Sequence, residues 1–165
     1  MRTRSLRAAL GTLAFTALFA LAGCQTAMPL DVPPAQEQAA PEILETIGAA
    51  RLQQLLHELG YANTEIDEDG DIKVRMQSLY VLALLNGTES PTIQMYFAIR
   101  APDTALEKVN AWNRGYRFSR AYLDRDGDPV LQSDLDLEGG VTEERIKDFL
   151  RTFDALLGAF RREVL

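Results

Sequence analysis

The chain has 165 residues, 47% of them hydrophobic and 25% charged, a balance that fits one ordinary globular domain and excludes wholesale disorder or a multi-pass membrane protein. Its 17 basic against 24 acidic side chains give a net charge of −7, which excludes a general nucleic-acid binder, because such proteins gain affinity by neutralising phosphates. One cysteine rules out an internal disulfide framework, and one histidine leaves little material for a zinc site or a histidine-based triad.

Arg2, Arg4 and Arg7 make a positive start, and the run from Ala8 to Ala22 that follows carries no charge. This pattern predicts a secretory signal over residues 1–23. The apolar run falls short of the roughly 20 residues that a spanning helix needs. Leu21-Ala22-Gly23-Cys24 resembles the lipobox of bacterial lipoproteins, in which the cysteine is acylated and becomes the first mature residue. Cys24 is therefore the expected lipidation site and membrane anchor, since two or more acyl chains hold a protein durably to a bilayer. Gln25, where an aspartate would resemble an inner-membrane retention signal, favours the outer membrane, facing the periplasm. Removing residues 1–23 takes away three arginines and no acids, so the mature chain carries a net charge of −10.

Residues 24–41, rich in Pro, Ala and Gln, read as a tether from which a folded domain over 42–165 extends. Leu52, Leu55, Leu56 and Leu59 recur at helical spacing before Gly60, which predicts a helix over Ala49–Leu59 closed by a left-handed cap. Four strands are predicted next: Tyr61–Ile66, Ile72–Met76, Leu79–Asn86 and Thr92–Arg100, with Asp69-Gly70 and Asn86-Gly87 supplying turns. Thr104 and Glu107, in capping-box spacing after Pro102-Asp103, predict a second helix to about Asn113. Strands over Tyr116–Leu123 and Val130–Leu137 follow. The final stripe of Ile146, Phe149, Leu150, Phe153, Leu156, Leu157, Phe160 and Val164 predicts a long core-packing helix. The expected fold class is α+β, a two-layer sandwich of antiparallel sheet and helices in the order α, three or four β, α, two β, α.

Asp67-Glu68-Asp69-Gly70-Asp71 and Asp124-Arg125-Asp126-Gly127-Asp128 could hold calcium through clustered carboxylates. The EF-hand spacing fails, because the twelfth positions are Ser78 and Leu135 where a bidentate Glu is required. The plainer reading is a pair of type I′ hairpin turns. With Asp126-Gly127 as a two-residue turn, Arg117 would face Asp136, Phe118 would face Leu135 and Tyr122 would face Leu131. On that reading Asp134, Asp136 and Glu138 are solvated cross-strand partners and not a metal ladder or an acid–base pair. His57 falls outside the leucine stripe, and no Gly-x-Ser-x-Gly elbow, phosphate loop or dinucleotide fingerprint is present. No catalytic set, metal site or cofactor is expected. Metal-assisted hydrolysis or calcium binding by the acidic loops is the alternative. Candidate partner-binding residues are the carboxamides Asn110 and Asn113, which more often bond backbone at a helix end or a neighbouring strand, and the aromatic residues Tyr96, Trp112 and Tyr116, which are as commonly core.

Asn110-Ala-Trp112-Asn113, Arg117-Phe118-Ser-Arg120-Ala-Tyr122-Leu-Asp124 and Leu135-Asp136-Leu137-Glu138-Gly139-Gly140-Val141 resemble the YbjN-like domain family. The resemblance extends back through Leu59-Gly60-Tyr61 and the Asp69-Gly70 turn, covering about residues 45–165. It implies the fold of type III secretion chaperones and a regulatory or binding role without catalysis. The lipoprotein leader departs from the cytoplasmic members of that family. The chain is thus expected to be an envelope-anchored lipoprotein whose domain binds an unknown protein partner, with a homodimer as one form. Its acidic surface favours basic segments over anionic lipid or nucleic acid.

Overall fold

A computed structural model describes residues 40–165. The leader 1–23, Cys24 and all but the last two residues of the tether lie outside the described residues.

Gly48 precedes the first helix, α1 (Ala49–Glu58), which buries Leu52, Leu55 and Leu56. Its end is a Schellman closure: Gly60 has φ +91°, its N–H donates to His57 O at 2.9 Å, and Tyr61 N–H donates to Leu56 O at 2.9 Å. Because Tyr61 serves this cap, the following strand starts three residues later than its β-forming composition predicts. A short strand before α1, β1 (Ile43–Leu44), pairs with β8 (Val141–Thr142) just ahead of the last helix, a ladder the sequence gives no cue for.

The main sheet comprises β2 (Thr64–Ile66), β3 (Ile72–Met76), β4 (Leu79–Leu85), β5 (Thr92–Ala98), β6 (Arg120–Leu123) and β7 (Pro129–Asp136). Its order is β2-β3-β4-β5-β7-β6 and every pair is antiparallel. The helix α2 (Leu106–Gly115) carries the chain from β5 to β6, and β7 then returns between those two strands. The expected capping box is not formed: Ala105 occupies the N-cap, and no side chain caps the helix.

The last helix, α3 (Glu143–Glu163), is the longest element, and Thr142 caps it by accepting from Arg145 N–H at 3.2 Å. Along its inner face Ile146, Phe149, Leu150, Phe153, Leu157 and Phe160 are buried against the sheet and α1. Each fully buried side chain of this size contributes about 1.5–3 kcal/mol, so this stripe is the main clamp between the layers. Arg51 on α1 donates from Nε to Glu143 at 2.6 Å, and Lys147 meets Glu58 at 2.6 Å, so the outer seam of the two helices is closed by ion pairs. Among the described residues no helix is long and apolar enough to cross a membrane.

The core draws on one sheet face: Ile72, Val74 and Met76, Val81 and Ala83, Ile93, Met95 and Phe97, then Leu131, Leu135 and Ala121. The two acidic hairpins differ from the expected type I′ form. Asp67 N–H donates to Asp71 O and Gly70 N–H to Asp67 O, with Gly70 at φ +87°; Asp124, Asp128 and Gly127 (φ +83°) repeat the geometry. Each is a three-residue loop with glycine in the left-handed position, the type I turn plus bulge. One extra loop residue shifts the register by one, so Ala121, not Tyr122, faces Leu131. The expected Arg117–Asp136 and Phe118–Leu135 pairs do not form, because β6 begins only at Arg120 and Phe118 has φ +65°.

The true type I′ turn is elsewhere. Gln77 (φ 49°) and Ser78 (φ 69°) join β3 to β4, with Met76 opposite Leu79. Neither residue is the Gly, Asn or Asp that marks a type I′ turn, which is why the sequence does not mark the position. Gln77 is held there by its side chain, whose Nε2 donates to Asp154 O on α3 at 2.7 Å, in space left by the missing side chain of Gly158. Ser78 is exposed and has φ above zero, so Ser78→Gly is expected to raise stability by about 0.5–1 kcal/mol, read as a higher urea midpoint at unchanged slope. An unchanged or lower midpoint would count against a strained turn.

Candidate functional site

The residues singled out from sequence divide between two faces of the sheet. Trp112 is 2% exposed, stacks on Tyr116 with centroids 3.8 Å apart, and meets Phe160 edge-on at 5.2 Å. Its Nε1 donates to Ser119 Oγ at 3.1 Å. Trp112 is thus a core anchor joining α2 to α3. Tyr116 is half-buried; its hydroxyl donates to Glu163, and that hydrogen bond raises its pKa.

Asn113 works on the sheet edge. Its Nδ2 donates to Ala121 O at 2.8 Å and its Oδ1 accepts from Ala121 N–H at 2.9 Å. The carboxamide therefore copies the backbone of an absent seventh strand and closes β6 at its middle. Exposed strand edges invite pairing with other chains, and this one is blunted by a side chain from α2. Asn110 is exposed on α2. Tyr96 lies across the sheet from Trp112, opposite Gln132, so the five candidates do not form one surface.

Among the described residues no helix covers the face bearing Tyr96. Pairing aligns Glu65, Lys73, Leu82, Tyr96, Gln132 and Arg120 in one row across all six strands. Tyr80, 54% exposed, stands beside that row with Lys73 Nζ 4.6 Å and Arg75 5.9 Å from its ring centre. Leu82, Leu84 and Tyr96 are half-exposed and Tyr122 is exposed. Burial raises the Tyr96 pKa first, with Tyr122 and Asp124 adding to the shift. Gln132 is buried, and its Oε1 accepts from Arg120 Nε at 3.1 Å. Sequence reasoning found Tyr96 but missed Tyr80, Leu82 and Tyr122 as its neighbours, because their alignment depends on strand order.

The acidic turns use their carboxylates on the backbone. Asp67 Oδ1 accepts from Asp69 and Asp71 N–H, Asp124 Oδ1 from Asp126 and Asp128 N–H, and Asp71 and Asp128 reach on to Leu85 and Ala101. Among the described residues no group of three or more His, Cys, Asp or Glu could hold a metal ion. Asp134 accepts from Gln94 Nε2 at 2.6 Å, and Asp136 accepts from Glu138 N–H at 2.9 Å. His57 is exposed and its Nε2 lies 2.7 Å from Thr64 Oγ1, with no nucleophile–base–orienter arrangement around it. Tyr61 is pushed up to about 12 by burial and then by the charge of Asp154, whose Oδ1 is buried without a hydrogen-bond partner.

Beside the start of β6 lies a cleft of about 400 Å³, lined by Phe118, Arg120, Gln132 and Ser133 on one side and Arg145, Phe149 and Thr152 on the other. It exists because β6 stops at Arg120 while β7 runs on to Asp136.

The YbjN family, described as "Putative bacterial sensory transduction regulator", matches residues 48–165, and the chain belongs to it. No curated protein matches the chain. Among solved structures it is similar to the Yersinia pestis type III secretion chaperone SycH, in the crystal structure of its complex with a stable fragment of YscM2. That similarity has a TM-score of 0.45 at 18% identity, over 64% of this chain and 92% of that one.

Proposed function

We propose that this chain is an envelope lipoprotein, acylated at Cys24 and held at the outer membrane facing the periplasm, whose YbjN domain is a non-catalytic module that binds another protein. The anchor reading is supported by the positive start, the short apolar run and the Leu21–Cys24 motif. The binding reading is supported above all by the open sheet face, where Tyr80, Leu82, Leu84, Tyr96 and Tyr122 share one side of the six strands and no helix among the described residues lies over them. Apolar and aromatic groups ringed by Lys73, Arg75 and Arg120 form the mixed composition of a protein-binding patch. The family's description as a regulator agrees with a role exerted through binding. Asn113 already occupies the β6 edge at Ala121, so the face, and not that edge, is the docking surface of this reading.

Two measurements test it. Labelled palmitate is expected to enter the wild type and not Cys24→Ser, which leaves the membrane fraction; equal labelling of both would sink the anchor. Photo-crosslinkers at Tyr80, Tyr96 and Tyr122 are expected to trap one partner in cells, while a probe at buried Trp112 traps none. A second copy of the chain trapped from these positions would identify the partner as a homodimer. No product from the three face positions, with a strictly monomeric purified protein, would remove the binding module.

A further inference from the structure

The cleft beside the start of β6 carries features that neither packing nor the open sheet face requires. Residues 40–165 hold 22 acidic and 14 basic side chains, yet two guanidiniums, Arg120 and Arg145, line this cleft. Among the described residues neither has a carboxylate within salt-bridge distance, whereas Arg51, Lys147 and Arg151 all do. Asp134 is the one acid in the lining and is bonded by Gln94, and two guanidiniums against one carboxylate leave the balance of charge there positive.

The cleft's aromatic wall is held in an unfavourable backbone conformation. Phe118 is 72% exposed and sits at φ +65°, a region that a bulky side chain rarely adopts. The buried Ser133 pins it there, donating from Oγ to Phe118 O at 2.7 Å. Strain of this kind, kept at a surface residue that contributes little to the core, is characteristic of ligand clamps. Phe149 and Thr152 on α3 form the facing wall.

The open edge of β7 adds main-chain groups. Asp124 and Asp128 are a hydrogen-bonded pair, so alternation along the ladder directs Gln132 toward β6 and Asp134 toward the same side. Since β6 begins only at Arg120, the N–H and C=O of Asp134 face the cleft with no strand beside them.

We propose that this cleft is a binding site for a small organic carboxylate with a flat apolar body: the carboxylate is held by Arg120 and Arg145, and the body lies between Phe118 and Phe149. A volume of about 400 Å³ falls in the range of small-molecule sites. Paired guanidiniums suit a carboxylate because their planar donors match its two oxygens. Arg120 and Gln132 also belong to the open sheet face, whereas Arg145, Phe149 and Thr152 on α3 belong to the cleft alone, so Arg145→Gln tests this assignment without touching the protein-binding face.

The test uses 2-naphthoate as the probe and the neutral 2-naphthalenemethanol as its control, titrated into the purified protein and followed by amide chemical shifts. Naphthoate is expected to saturate, with the largest shifts at Phe118, Ser119, Asp134 and Thr152, and to bind about tenfold more tightly than the alcohol. Arg120→Gln and Arg145→Gln are each expected to weaken naphthoate about tenfold and to leave the alcohol unchanged. Both side chains are exposed and lack a carboxylate partner; Arg120 also donates to the buried Gln132, so unchanged urea midpoints are required of both variants before their affinities are compared, and Arg145→Gln is the decisive one. Phe118→Gly gives a readout that a structural role would not: relief of the positive φ leaves stability equal or higher, while naphthoate affinity falls. Absence of saturable binding, equal affinity for acid and alcohol, or full affinity in Arg145→Gln would each overturn the assignment.

Discussion

Trp112→Ala is expected to cost about 3–5 kcal/mol, the range for truncating a large buried aromatic residue. The indole joins three elements: it lies over Tyr116, meets Phe160 edge-on and is tied to Ser119 by its N–H. The loss removes the dispersion contacts with Tyr116 and Phe160 and leaves a cavity in the core. Domains of this size have about 5–15 kcal/mol in total, so the variant should be close to unfolding at physiological temperature. Trp112→Phe keeps the apolar body and should lose about 1–2 kcal/mol, chiefly the Ser119 hydrogen bond and part of the stack. Urea unfolding followed by circular dichroism separates these cases. A cost below about 1 kcal/mol for Trp112→Ala would mean that α2 is not anchored through the indole.

Asn113→Ala is expected to cost about 1–3 kcal/mol and also to change the association state. Both hydrogen bonds to Ala121 are lost, and the middle of β6 becomes an open strand edge. Light scattering should then show concentration-dependent association beyond that of the wild type. Asn113→Asp refines the prediction. Its carboxylate still accepts from Ala121 N–H, but it places a second acceptor against Ala121 O, so the damage is greatest above carboxylate ionisation and is relieved as the acid protonates. If both variants remain as monodisperse and as stable as the wild type, the carboxamide is not what closes the edge.

The same contrast separates what could be read along the chain from what could not. Helix α3 was legible because its stripe, its acidic first turn and its basic last turn all lie within one periodic segment. The closure of α1 at Gly60 was legible for the same reason, since a Schellman cap is built from neighbouring residues. The α+β class and the antiparallel hairpins followed from short strands with tight links between them. The leader, Cys24 and the tether are readings of sequence alone.

Tertiary structure decided the rest wherever a choice of one residue, or of one neighbour, depended on distant groups. Asp126-Gly127 suits both a two-residue and a three-residue loop, and these place opposite residues against Leu131; the buried Ala121 and exposed Tyr122 show which choice satisfies the core. Gln77-Ser78 makes a type I′ turn without glycine because Gln77 reaches Asp154, on a helix far along the chain. Trp112 reads equally as surface anchor or core until α3 supplies Phe160. The open row through Tyr96 and the cleft at Phe118 arise from β7 inserting between β5 and β6 and outrunning β6 by several residues. A side chain's neighbours along the chain set helix period, caps and turns, because those energies are local. Register, strand order and the gaps they leave are set by which long-range packing buries the apolar face without orphaning backbone groups, and that balance is struck only in the assembled fold.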